Sequence, residues 1–389
     1  MPKQLYLLFL LSLQRQLFGC SWDNKSLIGI FQFFEIEVCY LNILELLEKA
    51  VLHNASDIHL SVGSPPILRI QGVLVAIERE LESDDIRSFA KLIMTEEQLA
   101  KLQKEKNIDM LYSLHDKFRY RINAYIQREQ LSLAIRIVPS QIPSLSEMNM
   151  PKIFLHLCQL SHGLVIVTGP TGSGKSTTLA AMIQHINQTQ KKKIITLEDP
   201  IEFLYSHMGC LIEQREIGRD TNSYADGLRS ALRQDPDILL LGEMRDIETM
   251  ATAITAAETG HLVFTTLHTP DATSAIERII DVFPAIQQQQ IRVQLANILQ
   301  AVIAQKLFRG PDKQRVAAYE ILIGNTAVAN LIRQEKVHQI RSIMQTSREE
   351  GMQTMEMHIR ELLEKQQIFF EADRVAMTTF GKLFKDRSL

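Results

Sequence analysis

Apolar residues recur along this chain in two patterns, and the pattern changes near residue 151. Before that point, apolar and polar residues alternate in Phe118–Ala124 and again in Leu131–Ile137, across an Arg128-Glu129-Gln130 turn. Such alternation is typical of antiparallel strands with one buried face. After it, short continuous apolar runs alternate with helical periodicity, which predicts a mainly parallel sheet covered by helices. These runs are Leu164–Thr168, Ile194–Leu197, Ile238–Leu241 and Leu262–Leu267.

The first part of the chain is predicted to form a small α+β domain. A helix with one apolar face begins at Asn42, and strands follow at Ile58–Val62 and Pro66–Ile77. Ser83 is expected to cap a single further helix that runs toward Lys104. The two alternating strands complete the domain.

Three arginines fall on the polar side of the two alternating strands. Because apolar residues occupy every second position, Arg119, Arg121 and Arg136 must all project from the opposite face of the sheet. The small domain is therefore predicted to have a cationic sheet face.

Composition and periodicity divide the chain into five stretches. Residues 41–138 hold the α+β domain, and residues 139–151, with three prolines and three serines, are expected to be a linker. Residues 152–310 hold the α/β domain, and residues 311–389 are predicted to be helical.

The apolar run in residues 1–40 is well short of the roughly 18 residues that a membrane span needs. We expect this first stretch to be dispensable, or to precede the true start of the protein.

The composition is that of a globular protein without a cationic excess. Hydrophobic residues make up 46% and charged residues 22%, and the net charge is −3. The overall charge therefore does not indicate a nucleic-acid partner. The four cysteines form no C-x-x-C pair, so they fit neither a disulfide framework nor a structural zinc site and suit a reducing cytoplasm.

One segment carries a specific chemical signature. Gly169-Pro170-Thr171-Gly172-Ser173-Gly174-Lys175-Ser176 matches the phosphate-loop pattern G-x-x-x-x-G-K-[ST], between a predicted strand and a helix that opens at Thr177. Its glycines let backbone N–H groups surround phosphates. Lys175 is expected to reach the β- and γ-phosphate oxygens, and Ser176 to offer its hydroxyl to Mg²⁺. Residues Gly169–Thr177 are therefore predicted to bind ATP with Mg²⁺.

Ionisable residues follow three further predicted strands, as Glu198-Asp199, Glu243 and His268. Since ligands of open α/β sheets bind outside the carboxyl ends of the strands, these residues should converge with the phosphate loop. We predict that Glu243 orients the attacking water and contacts Mg²⁺ directly or through water. Glu198, Asp199 or Glu202 is expected in the inner or outer shell of the metal. His268 is expected to sense the γ-phosphate or to line a subunit boundary.

Together these segments resemble the PilT-type secretion ATPases, the hexameric motors that retract type IV pili. The similarity runs from about Asn42 to about Ile368 and includes ASDIHLSVGSPPILRIQG, IITLEDPIEF, LRSALRQDPDILLLGEMRD and TAAETGHLVFTTLHT. It implies a Walker A loop at Gly169–Ser176, an Asp box at Glu198–Phe203, an atypical Walker B segment ending in Glu243, and a His box at His261–His268.

The resemblance also implies an architecture, partners and a location. The fold would be an α/β RecA-like ATPase domain with a PAS-like first domain and a helical C-terminal region. Arg119, Arg121 and Arg136 match arginines that reach nucleotide across or between subunits, with a solvated surface as the alternative. The expected partners are a homo-hexamer, a PilC-like inner-membrane platform protein and a paralogous retraction ATPase, but no nucleic acid. The protein would be cytoplasmic and peripheral at the inner membrane.

Departures from the family pattern leave alternatives open. No tetracysteine zinc site is present, which favours the retraction branch over pilus-extension and type II secretion ATPases. The family's AIRNLIRE motif appears as Ala327–Gln334, with Ala329 where arginine is expected. A PilU-like accessory protein or an orphan homologue therefore remains open. A nucleic-acid motor and a non-hydrolysing scaffold are alternatives of other classes, and Lys175, Ser176 and Glu243 together disfavour the scaffold.

Overall fold

A computed structural model describes residues 42–53, 55–70, 72–77, 79–114, 118–138, 141–311 and 315–369. The expectations for residues 1–40 lie outside the described residues. The described residues divide into two compact units, one on either side of the bond between Val138 and residue 139. None of the helices in the described ranges combines the length and apolar character that crossing a bilayer requires.

The first unit is an antiparallel sheet that shares one apolar core with its helices. Its elements are α1 (Ile43–Leu52), β1 (Ala55–Leu60), β2 (Ile67–Ile70), β3 (Val73–Ala76), α2 (Ser83–Ile93), α3 (Glu96–Glu105), β4 (Asn107–Leu114), β5 (Phe118–Gln127) and β6 (Gln130–Val138). The strand order is β3-β2-β1-β6-β5-β4, with every neighbouring pair antiparallel. Ile58, Tyr120 and Ile135 are fully buried in the core with residues of α1 and α2.

The predicted hairpin of alternating strands is confirmed. Gln127 of β5 pairs with Gln130 of β6 across a two-residue turn. Arg128 and Glu129 in that turn both have positive φ, 47° and 62°. This is the conformation of hairpin turns whose twist matches that of the flanking strands. The turn fixes the register, and the register places the apolar residues on one face.

The single helix expected from Ser83 is wrong, because two helices occupy that stretch. The Ser83 hydroxyl donates to Gln130 Oε1 (2.9 Å) instead of capping, and α2 has Glu82 as its N-cap. Thr95 starts α3 through reciprocal hydrogen bonds with Gln98 (2.9 and 3.2 Å). This capping pair satisfies backbone N–H groups at a new helix start and so ends the preceding helix.

The second unit is a mainly parallel sheet between helices, as predicted. Its elements are α4 (Ile153–Leu157), β7 (Gly163–Thr168), α5 (Lys175–Thr189), β8 (Lys193–Glu198), β9 (Leu211–Glu216), α6 (Tyr224–Ala231), β10 (Ile238–Leu241), α7 (Ile247–Glu258), β11 (Leu262–Leu267), α8 (Ala272–Asp281), α9 (Ala285–Ile298), β12 (Leu299–Arg309), β13 (Arg315–Ile323), α10 (Thr326–Arg333), α11 (Ile340–Thr346) and α12 (Met355–Glu364). The strand order is β13-β12-β7-β11-β10-β8-β9, and only the β12–β13 pair is antiparallel.

Both faces of this sheet are buried, which explains its continuous apolar runs. Along β7, Leu164 and Ile166 belong to one apolar core, whereas Val165 and Val167 belong to a second. Because successive side chains of a strand point to opposite faces, a strand covered on both sides needs an apolar residue at every position.

The helical expectation for residues 311–389 is wrong at its beginning. Arg315–Ile323 forms β13, which pairs with β12 from Arg309↔Arg315 to Ala301↔Ile323. The sheet therefore extends past residue 310, and the backbone groups of this stretch are satisfied across the hairpin rather than within a helix. The helices α10 to α12 follow the strand.

The expected linker is partly packed. Within residues 139–151, Leu145 is buried in a core of the second unit. The Ser144 N–H donates to Glu147 Oε2 (2.7 Å), which closes a turn there. The later residues of this stretch are therefore part of the second unit's packing.

Candidate active site

The phosphate loop connects β7 to α5, where the motif predicts it. Gly169 and Gly174 have positive φ, 142° and 86°. A Cβ atom on Gly169 would lie 2.4 Å from the carbonyl oxygen of Gln305 on β12, so the close approach of the two backbones requires glycine. Gly174 is the N-cap of α5. The N–H groups of the first helical turn therefore adjoin the loop, where they favour an anionic ligand.

Lys175 is buried inside the loop. Its Nζ donates hydrogen bonds to the carbonyl oxygens of Gly169 (2.8 Å) and Pro170 (3.1 Å). Burial lowers the pKa of Lys175, while the carboxylates of Glu243 and Glu202 act in the opposite direction. The ammonium group is thus held where the motif requires it, close to the predicted catalytic carboxylate.

Glu243 follows the end of β10 and is only 8% exposed. Arg245 Nη2 lies 2.6 Å from its Oε1. Its Oε2 finds no hydrogen-bond partner within the described ranges, and His268 Nε2 lies 3.5 Å from it. One carboxylate oxygen is therefore fixed by an arginine, and the other is free to accept a hydrogen bond from a ligand or a water molecule.

The end of β11 is tied to the strand that leads into the phosphate loop. The Thr168 hydroxyl donates to the carbonyl oxygen of Thr269 (2.8 Å) and accepts from the Thr269 N–H (2.9 Å). His268, next to this contact, has its pKa lowered by burial and by Lys175, with Glu243 acting in the opposite direction. The lowered pKa favours the neutral imidazole, which can both donate and accept hydrogen bonds.

The acids of the Asp box divide into one engaged and two exposed carboxylates. Glu198 Oε1 accepts from Thr196 Oγ1 (2.7 Å) and from Gln214 Nε2 (3.3 Å). Burial raises the pKa of Glu198. Asp199 and Glu202 are exposed. Glu198 is thus committed to contacts within the chain, and the role of all three acids at a metal ion stays a prediction.

His261 lies at the other end of β11 from His268. Its Nδ1 is 2.9 Å from the carbonyl oxygen of Ala256, and its own carbonyl accepts from the Gly163 N–H (3.0 Å). The six residues of β11 separate it from the phosphate-loop edge by nearly 20 Å. His261 is therefore a structural residue at the amino end of the strand.

The three predicted arginines belong to the first unit. Arg121 and Arg136 pair directly across β5 and β6 and are exposed, as predicted. Arg136 Nε donates to Asp57 Oδ1 (3.0 Å), which neutralises part of this face. Arg119 is half-buried. Their action on nucleotide stays a prediction.

Three residues of this edge were not predicted from the sequence. Arg245 stands two residues after Glu243, and this spacing was the available signal for their ion pair. The Tyr224 hydroxyl lies 2.8 Å from where a Cβ atom of Gly242 would be. Burial raises the pKa of Tyr224, and Glu243 adds to the effect. Gln305 reaches the loop only because β12 lies beside β7, so no local signal indicates it.

Comparison with known proteins identifies similar chains. Residues 37–375 match the family model described as "Type II/IV secretion system protein". The chain is 44% identical over 326 residues to the "Type IV pilus retractation ATPase PilT" of Pseudomonas aeruginosa, covering 84% of this chain and 95% of that protein. It is 45% identical over 316 residues to the uncharacterized protein YggR of Escherichia coli, covering 81% and 96%. Among solved structures, the "Pilus Retraction Motor PilT and Bound ADP" matches with a TM-score of 0.80 and 45% identity, covering 85% of this chain and 95% of that one.

Substitutions of Lys175 and Glu243 should separate binding from chemistry. We expect Lys175→Ala to lose nucleotide binding, because it removes the cation of the loop. Glu243→Gln should still bind ATP but lose about a hundredfold or more in turnover. Fluorescent-nucleotide titration and steady-state ATPase assays measure the two effects, and Glu277→Gln, an exposed carboxylate of α8, is the matched control. Turnover close to that of the wild type in Glu243→Gln would remove Glu243 from its assigned role.

Proposed function

The chain belongs to the family of type II/IV secretion system proteins, and from this premise we propose that it is the motor that retracts type IV pili. It is an ATPase, and the retraction role is supported by its relatives of known function. The observation that carries the proposal is the convergence of the phosphate loop, Glu243 and His268 at one edge of a parallel sheet.

Hydrolysis is proposed to follow from the positions of a few side chains. Lys175 leaves the carbonyl oxygens of Gly169 and Pro170 for β- and γ-phosphate oxygens, which offer it stronger, charge-assisted hydrogen bonds. Glu243, held through Oε1 by Arg245, accepts a hydrogen bond from the attacking water on Oε2 and orients it toward the γ-phosphate.

The same edge fits a magnesium ion. The Ser176 hydroxyl in the first turn of α5 and the unpartnered Oε2 of Glu243 are oxygen ligands of the kind that Mg²⁺ prefers. The described residues include no cluster of three or more His, Cys, Asp or Glu side chains suited to a metal. At phosphate loops, phosphate oxygens and water supply most of the ligands, and the ion neutralises charge on the phosphates.

Work is proposed to come from a homo-hexameric ring. In each subunit, ATP binding and hydrolysis would drive rigid-body swings between the PAS-like and RecA-like units. The ring would dock on an inner-membrane platform protein at the cytoplasmic face and so disassemble the fibre. A paralogous retraction ATPase is a further proposed partner.

A deletion strain tests the proposed function directly. Without this protein, cells should keep surface pili and lose twitching motility, because fibres extend but do not retract. The wild-type chain should restore motility, whereas Lys175→Ala should not. Unchanged pili and motility in the deletion strain would contradict the retraction role.

The cationic sheet face, formed by Arg119, Arg121 and Arg136, should contribute to ATP hydrolysis in the assembled ring. An arginine supplied by a neighbouring subunit stabilises charge on the transferred phosphoryl group and is worth on the order of a thousandfold in rate. We expect at least one of Arg119→Ala, Arg121→Ala and Arg136→Ala to stay folded and to lose most of the ATPase activity of the ring.

The control for this experiment is Arg87→Ala, because Arg87 is an exposed arginine of α2 in the same unit. ATPase activity measured at protein concentrations above and below ring assembly identifies the effect of a neighbouring subunit. Normal hydrolysis in all three variants would show that the cationic face is only solvated.

Ala329 should limit retraction by this protein alone. It is half-buried on α10, where the family motif has an arginine. Arg333, one turn later, donates to Asn297 Oδ1 (2.6 Å) and Asn330 Oδ1 (3.1 Å), so it is committed within the chain. We expect Ala329→Arg to increase twitching in a complemented retraction-deficient strain without changing basal ATPase activity. Exposed Ala327→Arg is the matched control. Full motility with the native protein and no gain from Ala329→Arg would contradict this expectation.

A further inference from the structure

Gln305 lies directly beneath the phosphate loop. On β12, the residue before it, Ala304, pairs with Thr168, the last residue of β7 before the loop. The carbonyl oxygen of Gln305 is the atom that a Cβ on Gly169 would strike at 2.4 Å. The shape of the loop is therefore built against this residue.

Gln305 is 1% exposed, and one of the two polar atoms of its side chain is hydrogen-bonded. Its Oε1 accepts a hydrogen bond from Thr178 Oγ1 on α5 (2.7 Å). Its Nε2 finds no hydrogen-bond partner in the part of the chain that the structure describes. The same nitrogen is 2.9 Å from where a Cβ atom of Gly174 would be, so it faces the end of the loop.

A buried amide donor without an acceptor is unfavourable, and such a group calls for an explanation. A phosphate loop that closes on its ligand turns N–H groups toward the phosphates, and its carbonyl oxygens then need donors from the protein. In this structure Lys175 Nζ donates hydrogen bonds to two of these carbonyl oxygens, those of Gly169 and Pro170. When Lys175 turns to phosphate oxygens, these carbonyl oxygens lose their donor. The Nε2 group of Gln305 is a buried hydrogen-bond donor beside the loop.

We propose that Gln305 is a positioning residue of the nucleotide site. Anchored to Thr178 through Oε1, it donates through Nε2 to the backbone of the phosphate loop in its nucleotide-bound shape. This contact stabilises the bound shape of the loop relative to the free one. The inference rests on the proposed nucleotide binding and adds to it a residue outside the phosphate-loop motif.

A set of matched variants separates this role from simple packing. Thr178→Val removes the hydroxyl but keeps the amide that faces the loop. The double variant Thr178→Val with Gln305→Leu replaces both partners by apolar groups, so neither end of this hydrogen bond is left unpaired. Gln305→Glu keeps the size and the acceptor but removes the donor. ADP titration and thermal unfolding without nucleotide are measured for each full-length variant.

The proposal predicts that Thr178→Val, which removes the anchor of Gln305 but keeps its amide, binds ADP more weakly than the wild type and more strongly than the double variant. The double variant should bind ADP about tenfold more weakly than Thr178→Val, the loss expected for one hydrogen bond. The midpoint temperature of thermal unfolding, measured without nucleotide, should be at least as high in the double variant as in Thr178→Val. Gln305→Glu should bind as weakly as the double variant, or more weakly.

Other outcomes overturn the proposal in distinguishable ways. If the double variant binds ADP like Thr178→Val, or loses thermal stability without losing affinity, Gln305 is only a packing residue. If the wild type does not bind ADP, or if Lys175→Ala binds it equally well, the proposed nucleotide site itself fails and this inference fails with it.

Discussion

The direction of the parallel strands is the constraint on which the site depends. β7, β8, β10 and β11 run the same way, so their carboxyl ends meet at one edge of the sheet. Register then decides which residues become neighbours. Leu241 pairs with both Leu197 and Thr265, and Leu267 pairs with Thr168, which brings the segments after each strand to one level. The Thr168–Thr269 hydrogen bonds hold two of these segments together at the start of the phosphate loop.

This edge brings opposite charges together in a partly buried setting. Lys175 lies inside the loop, and Glu243 is nearly buried beside it with Arg245 on one oxygen. Burial disfavours the charged form of Lys175 and lowers its pKa, whereas the carboxylate of Glu243 acts in the opposite direction and favours the ammonium group. Charged groups that are already in position need little rearrangement when charge develops on a transferred phosphoryl group. Such preorganised electrostatics usually contribute most of the stabilisation of a transition state. The pKa of His268 is lowered in this setting, which favours the neutral imidazole and lets it form hydrogen bonds without adding charge.

Local sequence patterns predicted much of this fold, and non-local pairing explains the rest. The phosphate loop, the four apolar strands and the β5–β6 hairpin follow from motif and periodicity, because each is determined by neighbouring residues. The strand Arg315–Ile323 was expected to be helical, since its identity as a strand comes from pairing with β12. Ser83 is predicted to cap a helix, but its hydroxyl donates a hydrogen bond to Gln130, which lies far along the chain. The position of Gln305 beside the phosphate loop has no local signal either, because it comes from the pairing of β12 with β7.

A structure with a non-hydrolysable ATP analogue and Mg²⁺ tests the central claim most directly. Lys175 Nζ should leave the carbonyl oxygens of Gly169 and Pro170 and bind β- and γ-phosphate oxygens. Oε2 of Glu243 should then face the γ-phosphate, directly or through one water molecule, while Arg245 keeps Oε1. A complex in which Lys175 keeps its present contacts, and the phosphates lie away from Glu243, would contradict the assignment of this sheet edge as the hydrolytic site.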